Sequence, residues 1–399
     1  MTETAVVLES RPDGVTPGTA AADLLAVDIA ALRARVDVAG DREVGAALRS
    51  PRRSLGDLAA LLSPAAGGRL EKMARLSSEA TVRRFGRTVR LFAPLYLSNE
   101  CVSVCTYCGF SAGNDIVRRT LTPGDVAAEA RALRAAGFRH VLLVSGEHAR
   151  IVSKDYLVEC VAAVAPEMPS VSVEVQAWDT ATYRRLVAAG CEGLVVYQET
   201  YDRAAYAGSH LKGKKRNYEW RLAAPDRGAE AGMRGLGIGA LLGLHADWRS
   251  EVLAVAAHAR ALLRRWWRCD LSVSLPRLRP AAGDFEPAAP VSDRDFVQLL
   301  CALRLCLPDV GISLSTRETS AFRDSVFRLG VTSMSAGSHT EPGGYAAPSE
   351  AGAQFEISDG RSPAEVAAMV SAAGYDPVWR DTLGARSVPD HEARNGWKR

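Results

Sequence analysis

The apolar segment VRLFAPLYL, residues 89–97, precedes three closely spaced cysteines, Cys101, Cys105 and Cys108. A continuous apolar run rich in β-strand formers is typical of a strand buried on both faces of a parallel sheet. Seven more runs of this kind follow at residues 140–144, 171–176, 193–198, 236–244, 271–275, 311–315 and 331–335. The sequence therefore predicts eight buried strands.

Helical patterns separate most of these strands. Thr122 and Pro123 are typical of an N-cap and a first helical residue, and Gly137 ends that pattern just before the next strand. Ser292 and Asp295 resemble a second helix start. Strands that alternate with helices in this way predict the α/β class and, with eight strands, a (β/α)8 TIM-type barrel.

The composition excludes several classes of protein. The 399 residues include 49 basic and 46 acidic side chains, which gives a formal net charge of +3. A balance this even does not predict a nucleic-acid or membrane surface. No apolar run approaches the roughly 18 residues of a membrane-spanning helix, and the N-terminus lacks the apolar core of a signal peptide. We expect a cytoplasmic protein with no nucleic-acid or membrane partner.

The pattern along the chain divides it into four segments. Residues 1–25 are expected to form a flexible tail because prolines and glycines interrupt them. Residues 26–86 predict an N-terminal helical extension, residues 87–340 the barrel, and residues 341–399 a C-terminal closing segment and tail. Ser362 and Pro363 are expected to start a closing helix in the last segment.

Catalytic residues of (β/α)8 barrels lie at the C-terminal ends of the strands. Polar residues follow nearly every predicted strand here: Tyr96, Gly146, Glu147, Gln176, Gln198, Glu199, Arg277, Arg279, Arg317 and Ser335. Any one of them is equally well explained as a loop residue that faces water. The whole ring predicts a polar site in the centre of the barrel.

The cysteines have the spacing CxxxCxxC immediately after the first strand. Eight cysteines in the chain are too few for a disulfide scaffold. Thiolates so close together bind one metal centre when a tight loop turns them inward, and three ligands on a four-iron cluster leave one iron open. A zinc site with a distant fourth ligand and three unrelated buried thiols are the alternatives that the spacing leaves open.

The triplet in this position resembles the radical S-adenosylmethionine (SAM) superfamily and, within it, the family of 2-iminoacetate synthases, the tyrosine lyases of bacterial thiamine-thiazole biosynthesis. The resemblance runs from about residue 61 to residue 379. The motifs that carry it are LLSP (61–64), PLYLSN (94–99), CTYCGFS (105–111), SGEH (145–148), VYQETY (196–201), HLKGKK (210–215), PRLRP (276–280), LSTRE (314–318) and PGGYA (342–346). Any one motif is weak, but the ordered series is specific.

The resemblance implies two cofactors. Cys101, Cys105 and Cys108 are expected to bind a [4Fe–4S] cluster whose open iron takes the amino and carboxylate groups of SAM. The residues implied to contact SAM are Tyr107, Gly146, Glu147, Glu199 and Arg221. No role follows for the lysine-rich motif HLKGKK.

The resemblance also implies a catalytic pocket that contains Tyr96, Arg317 and Ser335. In this pocket the Arg317 guanidinium would bind the carboxylate of the substrate through two hydrogen bonds. An alternative explanation of Arg317 is a structural ion pair with Glu318 or Asp324.

The implied reaction cleaves the Cα–Cβ bond of L-tyrosine to 2-iminoacetate and p-cresol, and forms 5′-deoxyadenosine and methionine. The implied partners are thiazole synthase and an electron donor of the flavodoxin or ferredoxin type. One alternative is a related lyase that acts on tryptophan. Another is the tyrosine lyase of hydrogenase maturation, which needs a second cysteine-rich site, whereas no cysteine follows Cys306. The third is a metal-stabilised binding module without catalysis.

Overall fold

Eight parallel strands of the protein close into a barrel. The computed structural model describes residues 15–283 and 285–379. The strands in these residues are β1 (Thr88–Ser98), β2 (Val104–Cys105), β3 (His140–Ser145), β4 (Ser170–Glu174), β5 (Gly193–Glu199), β6 (His210–Lys212), β7 (Gly235–Ala240), β8 (Asp270–Ser274), β9 (Gly311–Leu314), β10 (Ser333–Ser335) and β11 (Asp376–Val378). All eight predicted strands are confirmed, and with them the (β/α)8 TIM-type fold.

The barrel closes because β1 pairs with a parallel neighbour on each side. Phe92 of β1 lies opposite Ser335 of β10, and Tyr96 of β1 lies opposite Val144 of β3. The order round the barrel is β1-β3-β4-β5-β7-β8-β9-β10, and β11 extends the sheet beside the start of β1. Since the eight strands run in one direction, their C-terminal ends share one rim, which we call the mouth.

Alternate residues of each strand face the surrounding helices and the barrel interior. In β4, Val171 and Val173 are buried in the apolar core, whereas Ser172 faces inward and forms a 3.1 Å hydrogen bond with His140 Nε2. The interior beside Ser172 contains a cavity of about 480 Å³, lined by many small residues such as Gly237. The barrel is therefore not filled by large side chains at this level.

Helices surround the barrel and extend it at both ends. They are α1 (Ala20–Leu25), α2 (Ile29–Val38), α3 (Asp41–Arg49), α4 (Leu55–Leu61), α5 (Leu70–Phe85), α6 (Pro123–Ala135), α7 (Lys154–Val164), α8 (Thr180–Ala188), α9 (Arg203–Ser209), α10 (Tyr218–Leu222), α11 (Ala224–Glu230), α12 (Trp248–Arg265), α13 (Asp293–Cys306), α14 (Ser320–Val326) and α15 (Pro363–Ala372). Short 3₁₀ turns cover Pro64–Arg69, Lys214–Arg216 and Phe327–Leu329. Within the described ranges, no helix combines the length and apolarity needed to cross a bilayer.

The three predicted helix starts are confirmed. Thr122 caps α6, Ser292 caps α13 and Ser362 caps α15, each through a hydroxyl that accepts a backbone N–H of the first turn. These caps satisfy donors that have no partner inside the helix. The sequence signal is reliable here because capping is local.

The structure differs from the predicted tail at one point. Residues 20–25, which we expected in the flexible tail of residues 1–25, form α1. The carboxylate of Asp226 accepts the backbone N–H groups of Ala20 (2.9 Å) and Ala21 (3.0 Å), and Leu24 is buried. The prediction failed because six residues are too short for a periodic signal, and the partner lies some 200 positions away. The other segment boundaries remain predictions, and residues 1–14 and 380–399 lie outside the described residues.

A buried ion pair ties the closing segment to the last barrel strand. Arg323 on α14 donates hydrogen bonds to the carboxylate of Asp359 and to the carbonyl oxygen of Ser335. The side chains of Arg323 and Asp359 are 0% and 1% exposed. Burial opposes ionisation of Asp359, but the guanidinium groups of Arg361 and Arg323 outweigh it and lower the pKa of this carboxyl.

We expect Asp359→Asn to lower the free energy of unfolding by about 3 kcal/mol, because Arg323 then keeps a buried charge without a counter-charge of equal strength. Denaturant unfolding measures this loss. The matched control is Glu79→Gln, which removes one partner of the exposed pair between Arg75 and Glu79 and should change stability little. Equal losses in the two variants would contradict the role assigned to the buried pair.

Candidate active site

The three cysteines lie in the loop that follows β1. Cys105 is in β2, which pairs antiparallel with β6 so that Cys105 lies opposite His210. Arg118 holds the rest of the loop, since its guanidinium donates to four backbone carbonyl oxygens. These are the oxygens of Asn99 (2.6 Å), Phe110 (2.9 Å), Ser111 (2.8 Å) and Asn114 (3.1 Å). The Arg118 side chain therefore fixes the loop through its backbone carbonyl oxygens.

Gly146 allows the end of β3 to approach this loop. A Cβ atom at Gly146 would lie 2.3 Å from the carbonyl oxygen of Glu100, so a larger residue would displace the loop. The next residue, Glu147, directs its backbone N–H at Sγ of Cys101 over 3.4 Å. Its carbonyl oxygen accepts the N–H of Val102 at 2.9 Å. The predicted strand end and the cysteine loop are thus in direct contact.

The donor set fits an iron–sulfur cluster. The three cysteines are free thiols, and burial raises the pKa of each, with the Lys215 ammonium among the groups that oppose this shift. Thiolates in such surroundings are stabilised when they bind a cationic metal centre. Among the described residues no three His, Cys, Asp or Glu side chains converge on one ion position. A cubane cluster requires no such convergence, because each thiolate binds a different iron.

A network of two acids and two bases lies next to the cysteine loop. The Arg221 guanidinium is 3.3 Å from Glu147 Oε1 through Nη1 and 3.3 Å from Glu199 Oε1 through Nη2. Lys215 Nζ is 2.8 Å from the same Glu199 oxygen. None of the four side chains is more than 14% exposed. The structure therefore brings the predicted residues Glu147, Glu199 and Arg221 together and adds Lys215 to them.

The network fixes the charge of Glu199. Burial opposes its ionisation, but Lys215 and Arg221 outweigh burial and lower the pKa of Glu199 to about 2. Its backbone has φ of 71°, the one positive φ outside glycine in the described residues. The register between β5 and β7 shifts at the same place, between Tyr197 and Glu199. Such strain persists only where the surroundings hold it, and it is frequent at active sites.

Tyr107 is held within the cysteine loop by a neutral histidine. Burial lowers the pKa of His210 to about 3. His210 Nδ1 is 2.8 Å from the carbonyl oxygen of Tyr206, so Nδ1 carries the proton. Nε2 therefore accepts the hydroxyl of Tyr107, at 2.9 Å. The HLKGKK motif thus orients Tyr107 through His210 and neutralises Glu199 through Lys215.

Arg317 follows β9 and faces the ring of Phe355. Its guanidinium carbon lies 3.3 Å from the centroid of that ring. No carboxylate in the described residues forms an ion pair with it, and the alternative pairing with Glu318 or Asp324 is wrong. Glu318 is bound by Arg277 and Arg279, and Asp324 is bound by Arg361. Burial lowers the pKa of Arg317, as expected for a cation without a fixed counter-charge.

Tyr96 and Ser335 lie at the same rim of the barrel. The Tyr96 hydroxyl donates to Oε1 of Gln354 at 2.7 Å, and Gln354 Nε2 lies 4.0 Å from Sγ of Cys108. The Ser335 hydroxyl accepts the backbone N–H of Thr316 at 3.1 Å. Tyr96 is therefore connected to the cysteine loop through the closing segment.

Other members of the predicted ring have structural partners. Arg277 and Arg279 bind Glu318, and the Gln198 amide donates to the carbonyl oxygen of Tyr218 at 3.3 Å. The residues near the mouth that were not predicted from the sequence include Arg118, Lys215, Gln354 and Phe355. Lys215 could have been found, because it belongs to the lysine-rich motif. The others lie in irregular segments that have no periodic pattern.

Comparisons with known proteins agree with this arrangement. A model of the radical SAM superfamily matches residues 95–256, and a model of the Biotin and Thiamin Synthesis associated domain matches residues 274–376. The chain is 45% identical over 350 residues to 2-iminoacetate synthase of Escherichia coli strain K12, which covers 88% of this chain and 93% of that protein. The corresponding enzyme of Salmonella typhimurium is 44% identical over the same shares.

A solved structure extends the comparison to the fold. The crystal structure of HydG, a maturase of the [FeFe]-hydrogenase, superposes with a TM-score of 0.85 and 31% identity, over 91% of this chain and 82% of that chain. Its identity is well below the 45% found with the E. coli enzyme. The sequence match covers nearly the whole of a 2-iminoacetate synthase, and this chain belongs to the 2-iminoacetate synthase family of radical SAM enzymes.

Proposed function

We propose that this protein cleaves the Cα–Cβ bond of L-tyrosine to 2-iminoacetate and p-cresol, for the thiazole moiety of thiamine. One observation carries the proposal: Arg317, which has no ion-pair partner among the described residues, shares the barrel mouth with the cysteine loop. A cation of this kind suits the carboxylate of an amino acid. The adjacent loop has the thiols needed to bind a radical-generating cluster.

The cysteine loop is proposed to hold a [4Fe–4S] cluster through Cys101, Cys105 and Cys108. When bound, the cluster and SAM supply a 5′-deoxyadenosyl radical that can take a hydrogen atom from the substrate amino group. Arg118 keeps the loop in place through its four carbonyl contacts. Gly146 leaves room for backbone to approach.

The acid–base network is proposed to bind SAM. The Arg221 guanidinium suits its carboxylate, the Glu147 carboxylate its ammonium and Glu199 its ribose hydroxyls. Tyr107, oriented by His210, is proposed to contact the adenine. The four charges of the network sum to zero. The amino-acid group of SAM is a zwitterion and is also neutral overall, so its binding leaves the net charge of the site unchanged.

The substrate is proposed to lie between Arg317, Tyr96 and Ser335. The Arg317 guanidinium would bind both carboxylate oxygens of the substrate. Ser335 and Tyr96 would restrict the position of the substrate's amino-acid part. The closing segment contacts this space through Gln354 and Phe355, and we propose that it shields a radical from competing hydrogen-atom donors.

Two protein partners and a location complete the proposal. 2-Iminoacetate hydrolyses readily in water, which favours direct transfer to thiazole synthase. Electrons are proposed to come from a flavodoxin- or ferredoxin-type donor in the cytoplasm. A tryptophan-specific relative remains the second candidate, because side-chain choice depends on the shape of the pocket.

The first test concerns the cluster ligands. We expect Cys105→Ala to abolish activity and to lower iron and sulfide content after anaerobic reconstitution, because two thiolates do not hold the cubane securely. The matched control is Cys306→Ala, a buried cysteine of the core, which should keep its iron and lose only packing energy. Equal loss of iron in both variants would disprove the assignment of the triplet as the ligand set.

The second test concerns the reaction. Wild-type enzyme with L-tyrosine, SAM and a strong reductant is expected to form 5′-deoxyadenosine and p-cresol together, with glyoxylate from hydrolysis of the imine. Chromatography with mass detection measures all three. Deoxyadenosine without cresol would reject tyrosine as the substrate, and indole-derived products from tryptophan would identify the related lyase instead.

The third test is Arg317→Lys. Lysine keeps the charge but loses the planar fork, so tyrosine cleavage is expected to fall at least roughly tenfold, about 1.4 kcal/mol, with cluster content unchanged. The control is Arg277→Lys, which weakens the bond to Glu318 and should lower the melting temperature but not the affinity for tyrosine. An unchanged tyrosine affinity in Arg317→Lys would remove Arg317 from the substrate site.

A further inference from the structure

We propose that Glu174, at the end of β4, hydrogen-bonds the phenolic hydroxyl of the substrate and thereby makes the enzyme specific for tyrosine. This inference rests on the proposed function, because it assigns one contact within the same pocket. Glu174 belongs neither to the ring of polar residues predicted from the sequence nor to the contacts proposed above.

Strand register places Glu174 at the level of the substrate pocket. Glu174 lies opposite Val144 of β3, and Val144 lies opposite Tyr96 of β1. Glu174 lies two residues after Ser172 on β4, so the two side chains point to the same face of the sheet. Ser172 faces the barrel interior. The carboxylate is therefore directed inward, two strands away from Tyr96.

The Glu174 carboxylate has no fixed partner among the residues that the structure describes. Within the described ranges, no residue forms a hydrogen bond or an ion pair with its carboxylate. Two of the cations that influence its charge, Lys215 and Arg221, both bind Glu199 instead. A partly buried carboxyl group without a partner is costly, so a ligand that donates a hydrogen bond to it would be favoured.

The barrel order places Glu174 opposite Arg317. β4 and β9 are four strands apart in either direction round the eight-stranded barrel. Tyrosine likewise has its carboxylate at one end and its hydroxyl at the other. A substrate whose carboxylate binds Arg317 beyond β9 therefore extends its side chain towards β4.

The wall between these two ends suits an aromatic ring. Tyr96, Leu142 and Val144 are buried together there, with Val195 packed against them, and they contact the cysteine loop through Cys101 and Cys108. An apolar wall with one polar group at its far end is the arrangement expected for a phenol. Phenylalanine would fill the same wall and leave Glu174 without a donor.

The protonation state of Glu174 does not change this contact. Burial and the carboxylate of Glu199 raise its pKa to about 7, and Arg221, Lys215 and Arg317 oppose the shift. An ionised carboxylate accepts the phenolic hydrogen, and a protonated one can donate to the phenolic oxygen. Sites built to bond a substrate hydroxyl reject the analogue that lacks it far more strongly than apolar pockets do.

The test is a comparison of tyrosine and phenylalanine binding to reconstituted enzyme with SAM, without reductant, by anaerobic equilibrium dialysis. Wild type is expected to bind tyrosine at least about tenfold more tightly than phenylalanine. Glu174→Leu is expected to remove this preference by weakening tyrosine alone. Glu174→Gln should keep part of this preference, because the side-chain amide can still form a hydrogen bond with the phenolic hydroxyl. The matched control is Ser172→Ala, two residues earlier on the same inward face, which should keep the whole preference for tyrosine.

An equal loss of affinity for both amino acids in Glu174→Leu would overturn the inference, since it would place the carboxylate at the shared amino group or in a structural role. Unchanged tyrosine affinity in that variant would overturn it as well. Iron content and melting temperature identify a variant that fails to fold, and Glu174→Gln then decides the question. Wild-type enzyme that forms p-cresol keeps the proposed function even if the inference about Glu174 fails, whereas wild-type enzyme without cresol overturns the proposed function itself.

Discussion

The pairing of β1 with β10 is the constraint on which the rest of the structure depends. It closes the barrel and places the first strand, which leads into the cysteine loop, beside the last strand, which ends at Ser335. Residues about 220 positions apart, such as Tyr96 and Arg317, then share one mouth. Parallel strands fix the direction in which every side chain at that rim is presented. Without this closure the thiols and the unpaired guanidinium would belong to different surfaces.

Charge at the mouth is distributed in two different ways. Glu147, Glu199, Lys215 and Arg221 compensate one another within hydrogen-bonding distance, so their burial leaves no net charge. Arg317 and Glu174 instead lie on opposite walls, and neither has such a partner in the part of the chain that the structure describes. Buried charges are normally paired, and an unpaired one marks a place where a ligand completes the interaction. The balanced network thus suits a bound cofactor, and the separated charges suit the two ends of a substrate.

The closing segment contributes side chains to the mouth of the barrel, as the strands do. Gln354 connects Tyr96 with Cys108, and Phe355 covers the Arg317 guanidinium. The segment is held by the buried contact of Asp359 with Arg323, which also binds the end of β10. A buried ion pair behind the mouth therefore helps to determine how the mouth is covered. The same segment belongs to the region that matches a domain associated with biotin and thiamin synthesis.

The sequence by itself determined the eight strands, the helix caps and the cysteine triplet, because each of these depends on residues that are close together in the chain. It also indicated the family, through an ordered series of such short motifs. A short apolar run indicates a buried strand, and a cap needs only three or four neighbouring residues. Tertiary structure alone decided that α1 docks on Asp226, that Lys215 neutralises Glu199 and that Glu318 pairs with Arg277 and not with the adjacent Arg317. It alone placed Glu174 across the barrel from Arg317. The physical reason is that partners in an ion pair are selected by distance in space, and a closed barrel makes that distance independent of separation along the chain.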